Sequence, residues 1–175
     1  VKIELYVNNY NSPFGRIILL STEKGLCYVT LPGREEIAKE WTRKVFGTND
    51  FRIREVERGR ALEEIEAYFI GKLRGFSIPL DIRGTLFQKK VWDAIKAIPY
   101  GQTCSYGDIA RAIGNPKAFR AVGMANAENP LPIFIPCHRV IRSDGLPGGY
   151  GGGLELKKYL LALEARFLDS QRNNS

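Results

Sequence analysis

The sequence predicts two domains in one chain: an α/β N-terminal domain, made of a small sheet with helices, and a mainly α C-terminal domain that contains a helix-turn-helix. Three observations predict it. Up to about residue 80, short runs of branched and aromatic residues are bounded by Asn, Pro and Gly, as strands are. Beyond residue 85, apolar residues recur at helical spacing behind capping sequences. Between the two, FSIPLDIRG (76–84) reads as a linker punctuated by Pro79 and Gly84. The expected boundaries are 1–80 for a supporting domain, 85–168 for the domain that carries function, and 169–175 for a polar tail.

In order, KIELYV (2–7), RIILL (16–20) and GLCYVTL (25–31) are expected as strands. REEIAKEWTRKVF is expected as a helix with Ile37, Trp41 and Val45 on one face, and ALEEIEAYFIGKL as another with Leu62, Ile65 and Phe69 aligned. Thr85 and Gln88 then form a capping box ahead of Phe87, Val91, Ala94, Ile95 and Ile98, and Pro99 and Gly101 stop that helix. Ser105 and Asp108 repeat the capping pattern before Ile109, Ala110 and Ile113; Gly114 and Asn115 close this helix, and Pro116 suits the first position of the next, over 116–127. These two short helices are the helix-turn-helix candidate. In the second, Lys117 and Arg120 stand among Ala118, Ala121, Gly123, Ala125 and Ala127, so one side is expected to have almost no bulk. A helix with ordinary side chains is about 10–12 Å across, against about 6 Å for the minor groove of B-DNA. A small-residue helix carrying a long cation therefore points to a widened minor groove, with tight packing inside the protein as the alternative.

Composition narrows the classes. The 175 residues are 44% hydrophobic and 26% charged, which excludes a disordered chain, and no apolar run approaches the roughly 18 residues of a membrane span. The N-terminal stretch lacks the pattern of a signal peptide, and Cys27, Cys104 and Cys137 form no disulfide framework, so the expected location is cytoplasmic, or nuclear in a eukaryote. A formal charge of +7 attracts polyanions.

The stretch IPCHRVI (135–141) holds the chain's only histidine, directly after Cys137. A cysteine reacts as thiolate, so something must take its proton, and His138 is the only imidazole available. Neighbouring side chains on a regular strand point to opposite faces, so either the backbone bends after Pro136 or a water intervenes. A histidine base wants a third group to orient it. In LELKKYLLALEARFL the face Leu156, Tyr159, Leu160, Leu163 and Phe167 is apolar, and Glu164 is embedded in it, where a buried acid needs a partner. SDGLPGGYGGGL fits neither the dinucleotide nor the phosphate-loop spacing, leaving a close-approach loop with Tyr150 as a wall. No cofactor is expected, and no metal, since there is no C-x-x-C and only one histidine.

PCHRV (136–140), preceded by RAVG (120–123) and NP (129–130) and followed by GYGGGLELKKYLLALE, resembles the 6-O-alkylguanine-DNA alkyltransferases, also called methylated-DNA-protein-cysteine methyltransferases; the resemblance runs over about 85–168. It implies that Cys137 takes the alkyl group from oxygen 6 of a flipped guanine in duplex DNA and keeps it, one event per molecule. It casts His138 as a water-mediated base, Glu164 as its anchor, and Tyr106 as proton donor to ring nitrogen 3 of the leaving guanine. Asn129 would join the recognition helix to the active-site segment. Arg120 would fill the gap left by the nucleotide, with Lys117, Ala121 and Ser105 completing the DNA contacts. The backbone of Val140 and Gly151 and the side chain of Tyr150 would frame the base; several relatives carry serine at the position of Gly151. The partner implied is duplex DNA with an alkylated guanine, met in the minor groove by a monomer. The competing readings are a damage sensor, which would lack Cys137, a thiol hydrolase, and a sequence-specific helix-turn-helix regulator.

Overall fold

The computed structural model describes residues 2–172. The chain divides into two compact units, one up to Arg83 and one from Gly84 onward.

In the first unit, strands β1 (Ile3–Ser12), β2 (Gly15–Thr22) and β3 (Gly25–Thr30) form an antiparallel meander. Helix α1 (Glu35–Phe46) leads to a fourth strand, β4 (Phe51–Glu55), which lies parallel to β1, giving the order β3-β2-β1-β4. Alternation along the strands divides the faces. Leu5, Leu20, Cys27 and Tyr28 pack with Trp41 and Phe46, so α1 covers one side. Tyr10, of opposite parity to Leu5, stacks on Phe69 of helix α2 (Arg60–Phe69), with ring centroids 5.1 Å apart.

Two features of this unit depart from the sequence reading. β4 was not expected: FRIRE exposes Arg52, Ile53 and Arg54, and its strand state comes from pairing with β1 rather than from an apolar face. Segment 76–84 is not a free linker either. The amide of Leu26 donates to the Pro79 carbonyl (2.9 Å) and the amide of Asp81 to the Leu26 carbonyl (2.8 Å), so residues 79–81 extend the sheet beyond β3. Gly25 permits this approach: its φ is +145°, and a Cβ there would lie 2.2 Å from the Pro79 oxygen.

The second unit holds α3 (Leu86–Lys96), the two-residue strand β5 (Cys104–Ser105), α4 (Tyr106–Ala112), α5 (Phe119–Ala127), the two-residue strand β6 (Val140–Ile141) and α6 (Leu154–Arg172). Both capping boxes form, Thr85 with Gln88 and Ser105 with Asp108. Trp92 of α3, fully buried, donates to the Ala125 carbonyl (2.8 Å) and so ties α3 to α5.

Here too the structure corrects the sequence reading. α5 starts at Phe119, not at Pro116, because residues 115–118 close a turn in which the Ala118 amide donates to the Asn115 carbonyl (3.0 Å). Pro116 sits second in that turn, where its fixed φ is favoured. The expected tail is helical as far as Arg172; the remainder of it lies outside the described residues. Among the described residues no helix is long and apolar enough to cross a membrane.

Candidate active site

The segment that carries Cys137 is buried from Pro130 to Val140 and is shaped by local backbone bonds. Pro136 has φ −78° and ψ 63°, and the Cys137 amide donates to the Ile135 carbonyl at 2.7 Å, an inverse γ-turn. A 3-10 turn over Cys137–Arg139 follows. With three residues per turn, successive side chains fan out by a third of a circle instead of alternating across a strand. The backbone thus bends after Pro136. Upstream, the Asn129 side chain donates to the Ile135 carbonyl (2.9 Å) and accepts from the Leu131 amide (3.0 Å). This staple spans Ile133, whose φ of 77° is unusual for a β-branched residue and costs on the order of 1–3 kcal/mol.

Glu164, 0% exposed, is the hub of the site. One oxygen lies 2.8 Å from His138 Nε2 and 2.9 Å from Arg139 Nη2; the other accepts from Arg139 Nε (3.0 Å) and from the Gly101 amide (3.0 Å). Burial alone would raise the Glu164 carboxyl, but the hydrogen bonds and charges of His138 and Arg139 outweigh it and hold it at about 2. An ionised carboxylate can only accept, so Nε2 carries the proton. Burial lowers the His138 pKa despite the pull of Glu164, leaving a neutral ring in which Nε2 carries the proton and Nδ1 is the acceptor nitrogen. Cys137 is 4% exposed, and burial pushes its thiol up to about 11 although Asn129 and Lys157 both oppose the shift.

Acid stability should follow from this hub. Because the folded Glu164 titrates below its ordinary 4.5, its contribution, ~3 kcal/mol, is complete above pH 4.5 and drains away as pH falls towards 2. His138 acts in the same direction from pH 6.5 downward, since the unfolded chain binds its proton first. Denaturant unfolding between pH 7 and 3 should show a steady loss of stability that flattens in Glu164→Gln; parallel profiles would remove Glu164 as the cause.

Two buried cations were missed in the sequence. Arg139 grips Glu164 and also donates from Nη1 to the Ile98 carbonyl (2.7 Å). Lys157, 0% exposed, donates to the carbonyls of Val140 (2.6 Å) and Gly149 (3.4 Å), joining α6 to the segment after the 3-10 turn and to the glycine loop. Buried Lys and Arg are rare enough that composition argues against them. The available signal was the embedded acid, which demanded more than one partner. Gly101 was read as a helix stop, and it also supplies the fourth bond to Glu164. Its φ is +76°, and a Cβ would meet Leu168 Cδ1 at 2.0 Å.

Parallel pairing of β5 with β6 sets Cys104 opposite Val140 and Ser105 opposite Ile141, and so brings the start of α4 to the reactive turn. Tyr106, half-buried, lies between α5 and the glycine loop: a Cβ on Gly123 would be 3.8 Å from its ring, and one on Gly148 3.3 Å from its hydroxyl. Burial raises the Tyr106 pKa, with Cys137 adding to the effect, and Tyr150 responds to the same two causes and to Glu164. The Tyr150 hydroxyl is buried without a hydrogen-bond partner, while Gly151 is exposed in the turn beside it. The structure thus gathers Cys137, His138, Glu164, Asn129, Tyr106, Tyr150 and Val140.

Of the expected DNA-facing residues, Ser105 ends β5 and caps α4, Lys117 lies in the turn before α5, and Arg120 and Ala121 lie on α5. Lys117, Arg120 and Ala121 are exposed. The Ser105 hydroxyl is committed to the helix cap, donating to Asp108 Oδ2 (2.8 Å) and accepting from its amide (3.1 Å). The bulk-free side expected for the second helix is not what forms. Ala125 packs inward with Val122 and Asn126, and Phe119 and Met124 are the exposed large side chains. Packing against α3 and α4 sets the rotation of the helix, which the sequence spacing alone did not.

A helix pair, α4 and α5, in the same unit as a buried thiol and imidazole on the 3-10 turn and a buried carboxylate on α6 defines a class: proteins of helix-turn-helix type with a cysteine-histidine-glutamate cluster. Comparison with known proteins narrows it. Residues 86–166 match the DNA binding domain of 6-O-methylguanine DNA methyltransferase, and residues 5–82 match the ribonuclease-like domain of the same family. A methylated-DNA--protein-cysteine methyltransferase of Methanosarcina acetivorans is 46% identical over 163 residues, 91% of this chain and 98% of that protein. The constitutive methylated-DNA--protein-cysteine methyltransferase of Bacillus subtilis is 40% identical over 160 residues, 91% of this chain and 94% of its own. The crystal structure of Mycobacterium tuberculosis OGT in complex with DNA superposes with a TM-score of 0.80 at 38% identity, covering 94% of each chain. The chain belongs to the 6-O-methylguanine DNA methyltransferase family.

Proposed function

We propose that this chain repairs DNA by moving the alkyl group of a 6-O-alkylated guanine to Cys137, once per molecule. The observation that carries the reading is the Glu164 hub, which locks a neutral His138 in the same 3-10 turn as a buried thiol. In the reaction the sulfur attacks the alkyl carbon, a C–S bond forms, and the C–O bond breaks with its electrons returning to the guanine. His138 receives the thiol proton, directly or through a water, and Tyr106 supplies a proton to ring nitrogen 3 of the departing base. Imidazolium and phenolate then re-equilibrate with solvent. Asn129 anchors the reactive turn to the end of α5, and Tyr150 with the backbone of Val140 and Gly151 frames the base.

A stacked base offers no path for in-line attack, so the nucleotide leaves the duplex at a cost of a few kcal/mol. α5 approaches from the minor groove, Arg120 fills the gap, and Lys117, Ala121 and the start of α4 at Ser105 lie along the backbone. Lys117 and Arg120 supply positive charge where phosphates pass. Every group of the site comes from one chain, so a monomer suffices.

The test is a mass measurement after mixing with duplex DNA containing 6-O-methylguanine. One methyl group per protein on the Cys137 peptide is expected. Repeated turnover on an ester or peptide instead would favour thiol hydrolysis.

A further inference from the structure

We propose that Met124, on the face of α5 that carries Arg120, forms an apolar wedge that prises apart the base pairs next to the extruded nucleotide, with Phe119 steadying the Arg120 guanidinium. The proposal rests on the reading that α5 enters the minor groove.

Met124 is the only methionine in the chain and is 67% exposed; Phe119 is 49% exposed. Scattered surface hydrophobics need no explanation. These two, however, are among nine exposed large apolar side chains in the described residues, and both fall on the nine-residue helix that carries Arg120. The inward face of α5 is already served by Val122, Ala125 and Asn126, so neither side chain is needed for packing.

Residues four apart lie one above the other on a helix, so Met124 follows Arg120 on the same face. Their separation along the axis is about 6 Å, close to the roughly 6.8 Å of two base-pair steps. Arg120 in the vacated position therefore leaves Met124 within reach of a neighbouring step. The Arg120 guanidinium carbon lies 5.8 Å from the Phe119 ring centroid, which holds cation and ring together before DNA arrives. Met and Phe are side chains that minor-groove proteins insert between bases to unstack them. Methionine is also flexible enough to follow a step of variable geometry. The surrounding charge fits the same partner: Lys117 and Arg120 are both exposed.

Single-turnover transfer by Met124→Ala, Met124→Leu, Phe119→Ala and Arg120→Ala would be measured on a duplex with 6-O-methylguanine and on free 6-O-benzylguanine, which needs no flipping. Met124→Ala should slow the duplex reaction on the order of tenfold more than the free-base reaction. Met124→Leu should restore most of the loss. The deficit should be larger when the lesion is flanked by a stiff A-tract than by a flexible TA or CA step. Equal slowing on both substrates would assign Met124 to the fold, and undiminished duplex rates would make it a bystander; either overturns the wedge. If Arg120→Ala shows the duplex-specific loss and Met124→Ala does not, the minor-groove reading stands and the wedge falls. If wild-type protein takes no methyl from duplex DNA, both fall.

Discussion

A Cys137→Ser protein is expected to lose alkyl transfer completely while still binding duplex DNA that carries 6-O-methylguanine. Serine keeps the shape of the turn but offers a hydroxyl far less acidic than a thiol, and His138 is neutral and buried, too weak a base to ionise it. The other two thiols cannot substitute. Cys27 is fully buried, donates to the Leu20 carbonyl (3.2 Å), and is pushed up to about 12 by burial and by Asp81. Cys104 is half-buried in β5, and burial raises its pKa, with the Asp108 charge adding to the effect. Cys27→Ser and Cys104→Ser should therefore transfer normally. Methyl on a peptide containing Cys27 or Cys104 would sink the assignment of Cys137.

Glu164→Gln is the second large effect expected: single-turnover transfer slowed by roughly 10² to 10⁴, the usual worth of catalytic proton transfer, with DNA affinity nearly unchanged. The carboxylate receives donors from His138, Arg139 and Gly101 on its two oxygens. An amide must turn its NH₂ towards one of these donors, and it leaves the buried Arg139 charge without its counterion. Losing one partner of a buried ion pair costs about 3–5 kcal/mol, so folding has to be measured alongside the rate. Glu164→Gln combined with Arg139→Gln removes the stranded charge and separates the two effects. If the double variant is as stable as wild type and equally fast, Glu164 serves the fold and not the proton transfer.

What could be read in advance divides along physical lines. The starts of α3 and α4 were legible because a capping box is a local signal, complete within four residues. Cys137, His138 and Glu164 stood out because their residue types are chemically unusual where they occur. β4 was hidden because its pairing with β1 spans about fifty residues and its own face is charged; β5 and β6 are two residues long, too short for any periodicity. Arg139 and Lys157 look like ordinary surface cations until the fold brings Glu164 and the Val140 carbonyl to them. The outward turn of Met124 was hidden for the same reason, since only the neighbours of α5 decide which of its sides faces out.

The turn that holds Cys137 keeps it enclosed, and burial pushes its thiol up to about 11, so at neutral pH the sulfur stays protonated. For a protein that reacts once, this quiescence acts as a safety catch. Small electrophiles and oxidants in the surrounding water attack thiolates, and here they meet a closed, protonated sulfur. An acceptor that ionised freely would be squandered on such decoys before any lesion was found. An acceptor kept enclosed and protonated is preserved for its single use, so the number of lesions a population of molecules can clear stays close to the number of molecules made.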